Sequence, residues 1–401
     1  MKYIVMLCDG MAGYPLEKYD GKTTMEMAEK PNMDALCKKS IVGMIRTVPA
    51  GMKPGSDVAN LAAMGYDATK CYTGRSPLEA MSIGIDMKET DIAMRCNLVT
   101  LSEDEEYENK VMADYSSEEI STEEAGELIK VLNENLSTEE LEFFRGISYR
   151  HCLIWHNGPK TLELTPPHDI SDRVVTEYLP KNEILLNMMK KSYGLLKDHP
   201  VNVARREKGL NPANSIWLWG EGTRPAIPNF TETYNLDGSV ISAVDLIKGI
   251  GITAGLEVIE VEGATGNITT NFANKGKAAL KTLLDGKDYV YIHVEAADEC
   301  GHRGEAENKV KSIEFIDRDV IGPLLKGLEE AGEEYTIMIM PDHPTPIALK
   351  THTSDPVPFM IYRSNKEEKG IDTFTEKKAA ETGIFYETGM ELVAKFFEYK
   401  N

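Results

Sequence analysis

The sequence predicts an α/β fold, a mostly parallel sheet with helices on both faces, carrying a smaller inserted α+β domain. Three observations predict it. Four short apolar runs, residues 3–8, 289–294, 335–340 and 357–362, are rich in Ile, Val, Tyr or Met and bounded by polar breakers, the pattern of strands buried on both faces. Helical periodicities at 57–64, 277–284, 305–325 and 379–399 alternate with them, and that alternation builds parallel sheets. The middle of the chain follows neither pattern.

Taken in order, the run 3–8 stops at Asp9-Gly10, and the helix over 57–64 opens behind the turn Pro54-Gly55. From residue 86 to 209 the chain is first acidic (103–108), then rich in Ser, Thr and Glu (115–124), where Ser121-Thr122-Glu123-Glu124 is a helix-start signal. Residues 149–155 and 161–164 alternate like antiparallel strands. We therefore expect a discontinuous catalytic domain, 1–85 and 210–401, with an inserted domain over 86–209. The competing expectation is that the middle continues the main sheet. Gly249, Gly251 and Gly255 follow a helical stretch at 243–248, so they are not a strand–turn–helix dinucleotide fingerprint, and neither a P-loop nor a GxSxG elbow is present. The run 289–294 leads towards Asp298, 335–340 stops at Pro341-Asp342-His343, and 357–362 follows a Pro-containing loop. Ligands of parallel sheets gather at such strand ends.

Composition narrows the function. The 401 residues suggest two or three domains, and 65 acidic against 44 basic side chains give a formal charge of −21. That balance argues against a nucleic-acid or anionic-membrane partner. Cys8, Cys37, Cys71, Cys96, Cys152 and Cys300 form no CxxC pair, so they read as buried thiols of a reducing compartment. The apolar start at 4–8 is too short for an export signal, and no run reaches the roughly 20 residues of a membrane helix. The expectation is a soluble cytoplasmic protein.

The chemistry lies in scattered residues of similar context. Asp9 follows the first run, Asp298 and His302 are four apart, Asp342 and His343 are adjacent between prolines, and His352 stands in Thr351-His352-Thr353. One helical turn brings Asp298 and His302 to the same side. Carboxylates with imidazoles suit Mn²⁺, Mg²⁺ or Zn²⁺, and three Asp with three His exceed one ion's needs but fit two sharing a site. Ser56, in Pro54-Gly55-Ser56-Asp57, stands where a helix starts. It reads either as an N-cap, accepting a first-turn amide, or as a nucleophile in the positive field of a helix amino end.

Together with Gly74-Arg75, Asn211-Pro212-Ala213-Asn214, the WGEG at 219–222, Gly263-Ala264-Thr265-Gly266 and the stretch 298–304, these residues resemble the alkaline phosphatase superfamily. Within it the chain is similar to the cofactor-independent phosphoglycerate mutases, in the branch first recognised in archaea. The resemblance spans nearly the whole chain. It implies interconversion of 2- and 3-phosphoglycerate through a phosphoserine on Ser56. It implies one metal held by Asp298, His302 and His352 and another by Asp9, Ser56, Asp342 and His343. The ions would be Mn²⁺ or Mg²⁺, with Zn²⁺ or Co²⁺ as alternatives, and 2,3-bisphosphoglycerate would not be needed. A mutase must retain the glycerate, so the insert would clamp the substrate. Arg150, His151, His168, Asp169 and Arg173 of the insert, with Lys275 and Arg303, are the candidate contacts for a trianionic ligand, because Arg pairs bidentately with carboxylate and phosphate. The alternatives are a metal-dependent phosphomonoesterase or other phosphotransferase on the same scaffold, and a non-catalytic protein on a decayed fold. The seven ligand positions argue against decay, and a homo-oligomer stays open.

Overall fold

The computed structural model describes residues 1–103 and 106–398. Asp104 and Glu105 of the acidic run, and Tyr399 of the last helical periodicity, lie outside the described residues. The strands are β1 (Lys2–Cys8), β2 (Ile41–Ile45), β3 (Ile92–Leu101), β4 (Met112–Asp114), β5 (Leu141–Ile147), β6 (Arg150–Trp155), β7 (Ser215–Thr223), β8 (Gly238–Ile241), β9 (Glu257–Val258), β10 (Tyr289–Val294), β11 (Tyr335–Met340), β12 (Val357–Arg363) and β13 (Phe385–Tyr386). Two compact units result: Met1–Tyr72 with Ala226–Asn401, and Thr73–Pro225.

The first unit carries an eight-stranded sheet in the order β13-β2-β12-β11-β1-β10-β8-β9. The four apolar runs are all strands of this sheet. Every residue of β10 and β11 is buried, which requires cover on both faces because alternate side chains point to opposite sides. β1 pairs parallel with β10 (Leu7↔His293) and with β11 (Leu7↔Met340), so the three strands end level. β12 runs antiparallel to both β11 and β2 and makes the sheet mixed. The level carboxyl ends of β1, β10 and β11 deliver Asp9, Asp298 and Asp342 to one place.

Two helical expectations in this unit change in detail. The periodicity at 305–325 is a helix Ala306–Phe315, a π turn Ile316–Ile321 and a helix Gly322–Glu330. Pro323, which has no N–H to donate, sits just past the π turn. The periodicity at 379–399 is not one helix. It holds the end of a helix Glu376–Glu381, then β13, then a helix Gly389–Phe396. Gly383, at φ 73, turns the chain out of the first helix, and Thr388 opens the last with a capping box to Glu391.

The second unit is an antiparallel sheet, β4-β3-β6-β5, with β7 also paired to β3. The helices Thr122–Leu136 and Glu183–Leu196 pack on it. Its own core includes Leu98, Leu128, Leu132, Leu153, Met189 and Trp217. Ser121 caps the first helix through Glu124 N, as the helix-start signal predicts. The unit extends beyond 86–209 at both ends. β7 pairs with β3 from Ile92↔Thr223 to Val99↔Ser215, and the helix Arg75–Ser82 packs on those two strands. Residues 161–164 form no strand. β6 is already flanked by β3 and β5, and Leu162 and Leu164 cover the core instead.

Candidate active site

All seven expected ligand positions belong to the first unit. Asp9 follows β1 and is 1% exposed. Asp342 and His343 follow β11 and are fully buried. Asp298 and His302 lie on the helix Ala296–Arg303, one turn apart, with His302 Nε2 3.2 Å from Asp298 Oδ2. His352 Nε2 stands 3.3 Å from Asp298 Oδ1 and 2.8 Å from His302 Nε2. Asp298, His343 and His352 offer ligand atoms within 4.8 Å of one another, as do Asp9, Asp342 and His343.

Ser56 is not an N-cap. Gly55 takes that place with extended backbone, and no side chain caps the helix Ser56–Ala63. The hydroxyl turns instead to the ligand cluster, 3.2 Å from His343 Nε2 and 3.5 Å from Asp9 Oδ2. One turn along, Asn60 donates to Ser56 O at 2.8 Å and to Asp342 Oδ2 at 3.0 Å, and accepts from Tyr291 Oη at 2.6 Å. The serine is thus locked to the sheet that supplies the aspartates.

The donor set fits divalent cations. Asp9 Oδ1 is buried without a hydrogen-bond partner, an arrangement that costs free energy unless something positive meets it. Burial, with the charges of Asp342, Asp298 and Glu295, holds the Asp9 carboxyl well above the usual carboxylate range. Cations would relieve that repulsion. Against its burial, hydrogen bonds from His302 and His352 hold Asp298 well below that range. Gly10 N and His343 N donate to Asp342 Oδ1 at 3.0 and 2.8 Å, and Thr345 Oγ1 donates to Asp298 Oδ1.

Several members of the site carry no signal of their own in the sequence. His293, inside β10, is fully buried and contacts Asp9 Oδ2 through Nε2 at 2.8 Å. Burial lowers its pKa to about 3. Lys309 is fully buried and donates to Ala12 O at 3.0 Å and Thr345 O at 2.7 Å, tying together the loops behind Asp9 and His343. Burial pushes its amine down to about 8. The only available hint was their type: a His within an apolar strand, and a Lys at a position the helix turns inward.

The expected substrate contacts are dispersed. Lys275 is fully buried, its amine on His293 O at 3.0 Å. Arg303 is exposed and paired with Glu299 at 2.9 Å. In the second unit, His151 is buried, its Nδ1 accepting from Gly146 N at 3.1 Å. Arg150 lies over the Tyr149 ring, and His168 stands edge-on to Tyr115 and Trp219, 3.6 Å from Asp169. Arg173 donates to Tyr178 Oη at 3.3 Å.

Comparison with known proteins gives the family. The family profile described as 2,3-bisphosphoglycerate-independent phosphoglycerate mutase matches residues 37–202. A probable 2,3-bisphosphoglycerate-independent phosphoglycerate mutase of Geobacter sulfurreducens is 48% identical over 397 residues, 98% of each chain. The mutase of that name from Methanosarcina barkeri is 47% identical over 385 residues, 94% of this chain and 95% of its own. A solved protein of Pyrococcus horikoshii, 30% identical, superposes with a TM-score of 0.82 over 99% of this chain and 96% of its own. The cofactor-independent phosphoglycerate mutase of Thermoplasma acidophilum, at 24% identity, shares the fold with a TM-score of 0.71 over the full length of both chains. The chain belongs to the 2,3-bisphosphoglycerate-independent phosphoglycerate mutases.

Proposed function

We propose that the chain interconverts 2-phosphoglycerate and 3-phosphoglycerate by way of a phosphoserine on Ser56, as a soluble cytoplasmic isomerase that needs no 2,3-bisphosphoglycerate. The observation that carries this reading is the Ser56 hydroxyl, freed from capping and set 3.2 Å from His343 Nε2 among buried carboxylates. Asp298, His302 and His352 would hold one divalent ion, and Asp9, Ser56, Asp342 and His343 a second, with Mn²⁺ or Mg²⁺ favoured by the carboxylates. Bound there, the ions supply positive charge to phosphoryl oxygens and lower the pKa of the serine hydroxyl.

The residues of the chain do the rest. Ser56 Oγ gives up its proton and attacks phosphorus; the Oγ–P bond forms as the P–O bond to one glycerate oxygen breaks, and that oxygen leaves with the electron pair and takes up a proton. In the second half the other glycerate hydroxyl loses its proton as it attacks, the Oγ–P bond breaks, and Ser56 Oγ takes up a proton again. The amino end of the Ser56–Ala63 helix adds a positive field where the phosphoryl group arrives. Asn60 keeps the serine backbone and Asp342 in register through both halves. Arg150, His168, Asp169 and Arg173 remain the proposed contacts of the second unit to substrate.

The test is an enolase-coupled assay on 3-phosphoglycerate without added 2,3-bisphosphoglycerate, with inorganic phosphate measured in parallel. Turnover without phosphate release is the expected result. Phosphate released in step with substrate loss would make the chain a phosphomonoesterase and overturn the proposal.

A further inference from the structure

His293 is a buried histidine of the site that neither proposed ligand set includes. Its ring is held at both nitrogens: Nδ1 lies 3.1 Å from Ser242 Oγ and Nε2 2.8 Å from Asp9 Oδ2. An ionised Asp9 carboxylate can only accept, so Nε2 carries the ring proton and Nδ1 is left to accept the Ser242 O–H, while Ser242 Oγ accepts the Val244 N–H at 3.0 Å. That fixes the tautomer, with the ring proton on Nε2, aimed at Asp9. Lys275 also anchors the His293 carbonyl at 3.0 Å. A donor on Oδ2 stops the Asp9 carboxylate from turning about its last bond. Oδ2, which also lies 3.5 Å from Ser56 Oγ, is then held by donors, and Oδ1, with no hydrogen-bond partner and 3.8 Å from His343 Nε2, is the oxygen left open to a cation.

We propose that His293 is a positioning residue that, oriented by Ser242, selects which oxygen of Asp9 binds metal. Ligating side chains held by such outer hydrogen bonds lose about 10–100-fold in metal affinity when the bond is removed. The inference rests on the reading of Asp9 as a metal ligand, and the experiment separates the two.

Metal-free full-length protein is titrated with Mn²⁺ by calorimetry, comparing wild type with His293→Leu, His293→Gln, Ser242→Ala and Asp9→Asn. The Gln amide can still donate to Asp9, whereas Leu cannot. The expected result is one of the two Mn²⁺ sites weakened 10–100-fold in His293→Leu, with His293→Gln within a few-fold of wild type. Asp9→Asn should lose that site. If Asp9→Asn loses the site while His293→Leu binds both ions as wild type does, the positioning role is refuted. Equal weakening in the Leu and Gln variants would also refute it, because a donor would then not be what matters. If Asp9→Asn itself binds both ions unchanged, the reading of Asp9 fails instead. Should His293→Leu not fold, Ser242→Ala decides: several-fold weaker Mn²⁺ binding supports the tautomer lock, and unchanged binding overturns it.

Discussion

His151 offers a decisive contrast between a ligand contact and a structural histidine. Its Nδ1 accepts the Gly146 amide, its Nε2 is buried without a partner, and burial pushes its pKa from 6.5 to about 3. Protonation would put the ring's second N–H on Nδ1 and displace the amide. The folded pKa lies below the unfolded one, so below pH 6.5 the unfolded chain takes up a proton that the folded chain refuses. Stability is therefore unaffected above that pH and falls as pH drops towards 3, by about 1.4 kcal/mol per unit. At pH 4.5, two units down, the loss is about 2.7 kcal/mol from this one ring. Trp155, Trp217 and Trp219 all lie in the same unit as His151, so their fluorescence during urea unfolding reports on it directly. In His151→Asn, whose Oδ1 can take over the amide, wild type should lose about 2.7 kcal/mol more than the variant between pH 7 and 4.5, with KM unchanged at pH 7. Parallel losses in both proteins, or a large rise in KM, would refute the structural role.

Three further outcomes follow from the site. Gly10 has φ 62, and a Cβ there would lie 2.6 Å from Asp298 Cα and Oδ1; Gly10→Ala should displace Asp298 and cut kcat at least 100-fold, and near-normal turnover would show that Asp298 has freedom the packing denies it. Lys309→Met leaves the Thr345 carbonyl without its donor, while Ala12 O keeps the Thr345 N–H at 3.1 Å; at about 1–3 kcal/mol for a buried group left unpaired, chemical denaturation should show a loss of about 1–3 kcal/mol, and an unchanged midpoint would contradict the tie. Chelation should abolish turnover and lower the thermal midpoint, with Mn²⁺ at 100 times its dissociation constant restoring about 2.7 kcal/mol; differential scanning fluorimetry that finds no shift would count against a metal bound to the folded state.

Much of this was legible because of how parallel sheets are built. Strands buried on both faces must be continuously apolar, so β1, β10, β11 and β12 stood out, and their ends pointed to Asp9, Asp298 and Asp342. The direction of β12 was not legible, because an all-apolar run carries no mark of which way it pairs. Residues 161–164 alternate as a strand would, yet β6 offers them no free edge. The break at Gly383 was hidden because the apolar positions on either side keep helical spacing. His293 and Lys309 escaped notice for a related reason: each is separated in sequence from its partners, and only the register of β1 with β10 and the packing of the Ala306–Phe315 helix bring them to Asp9 and Thr345. The expectation of Ser56 as either cap or nucleophile was settled geometrically against the cap, since Gly55 holds that position.

The most direct test of the account is to trap the phosphoenzyme. Metal-loaded protein is mixed with 3-phosphoglycerate, quenched in acid within one turnover, digested and mapped by mass spectrometry. Phosphate on Ser56, and none in Ser56→Ala, which should also be inactive but as stable as wild type within about 0.5 kcal/mol, is the predicted result. Phosphate on any other side chain, or turnover that persists in Ser56→Ala, would contradict it.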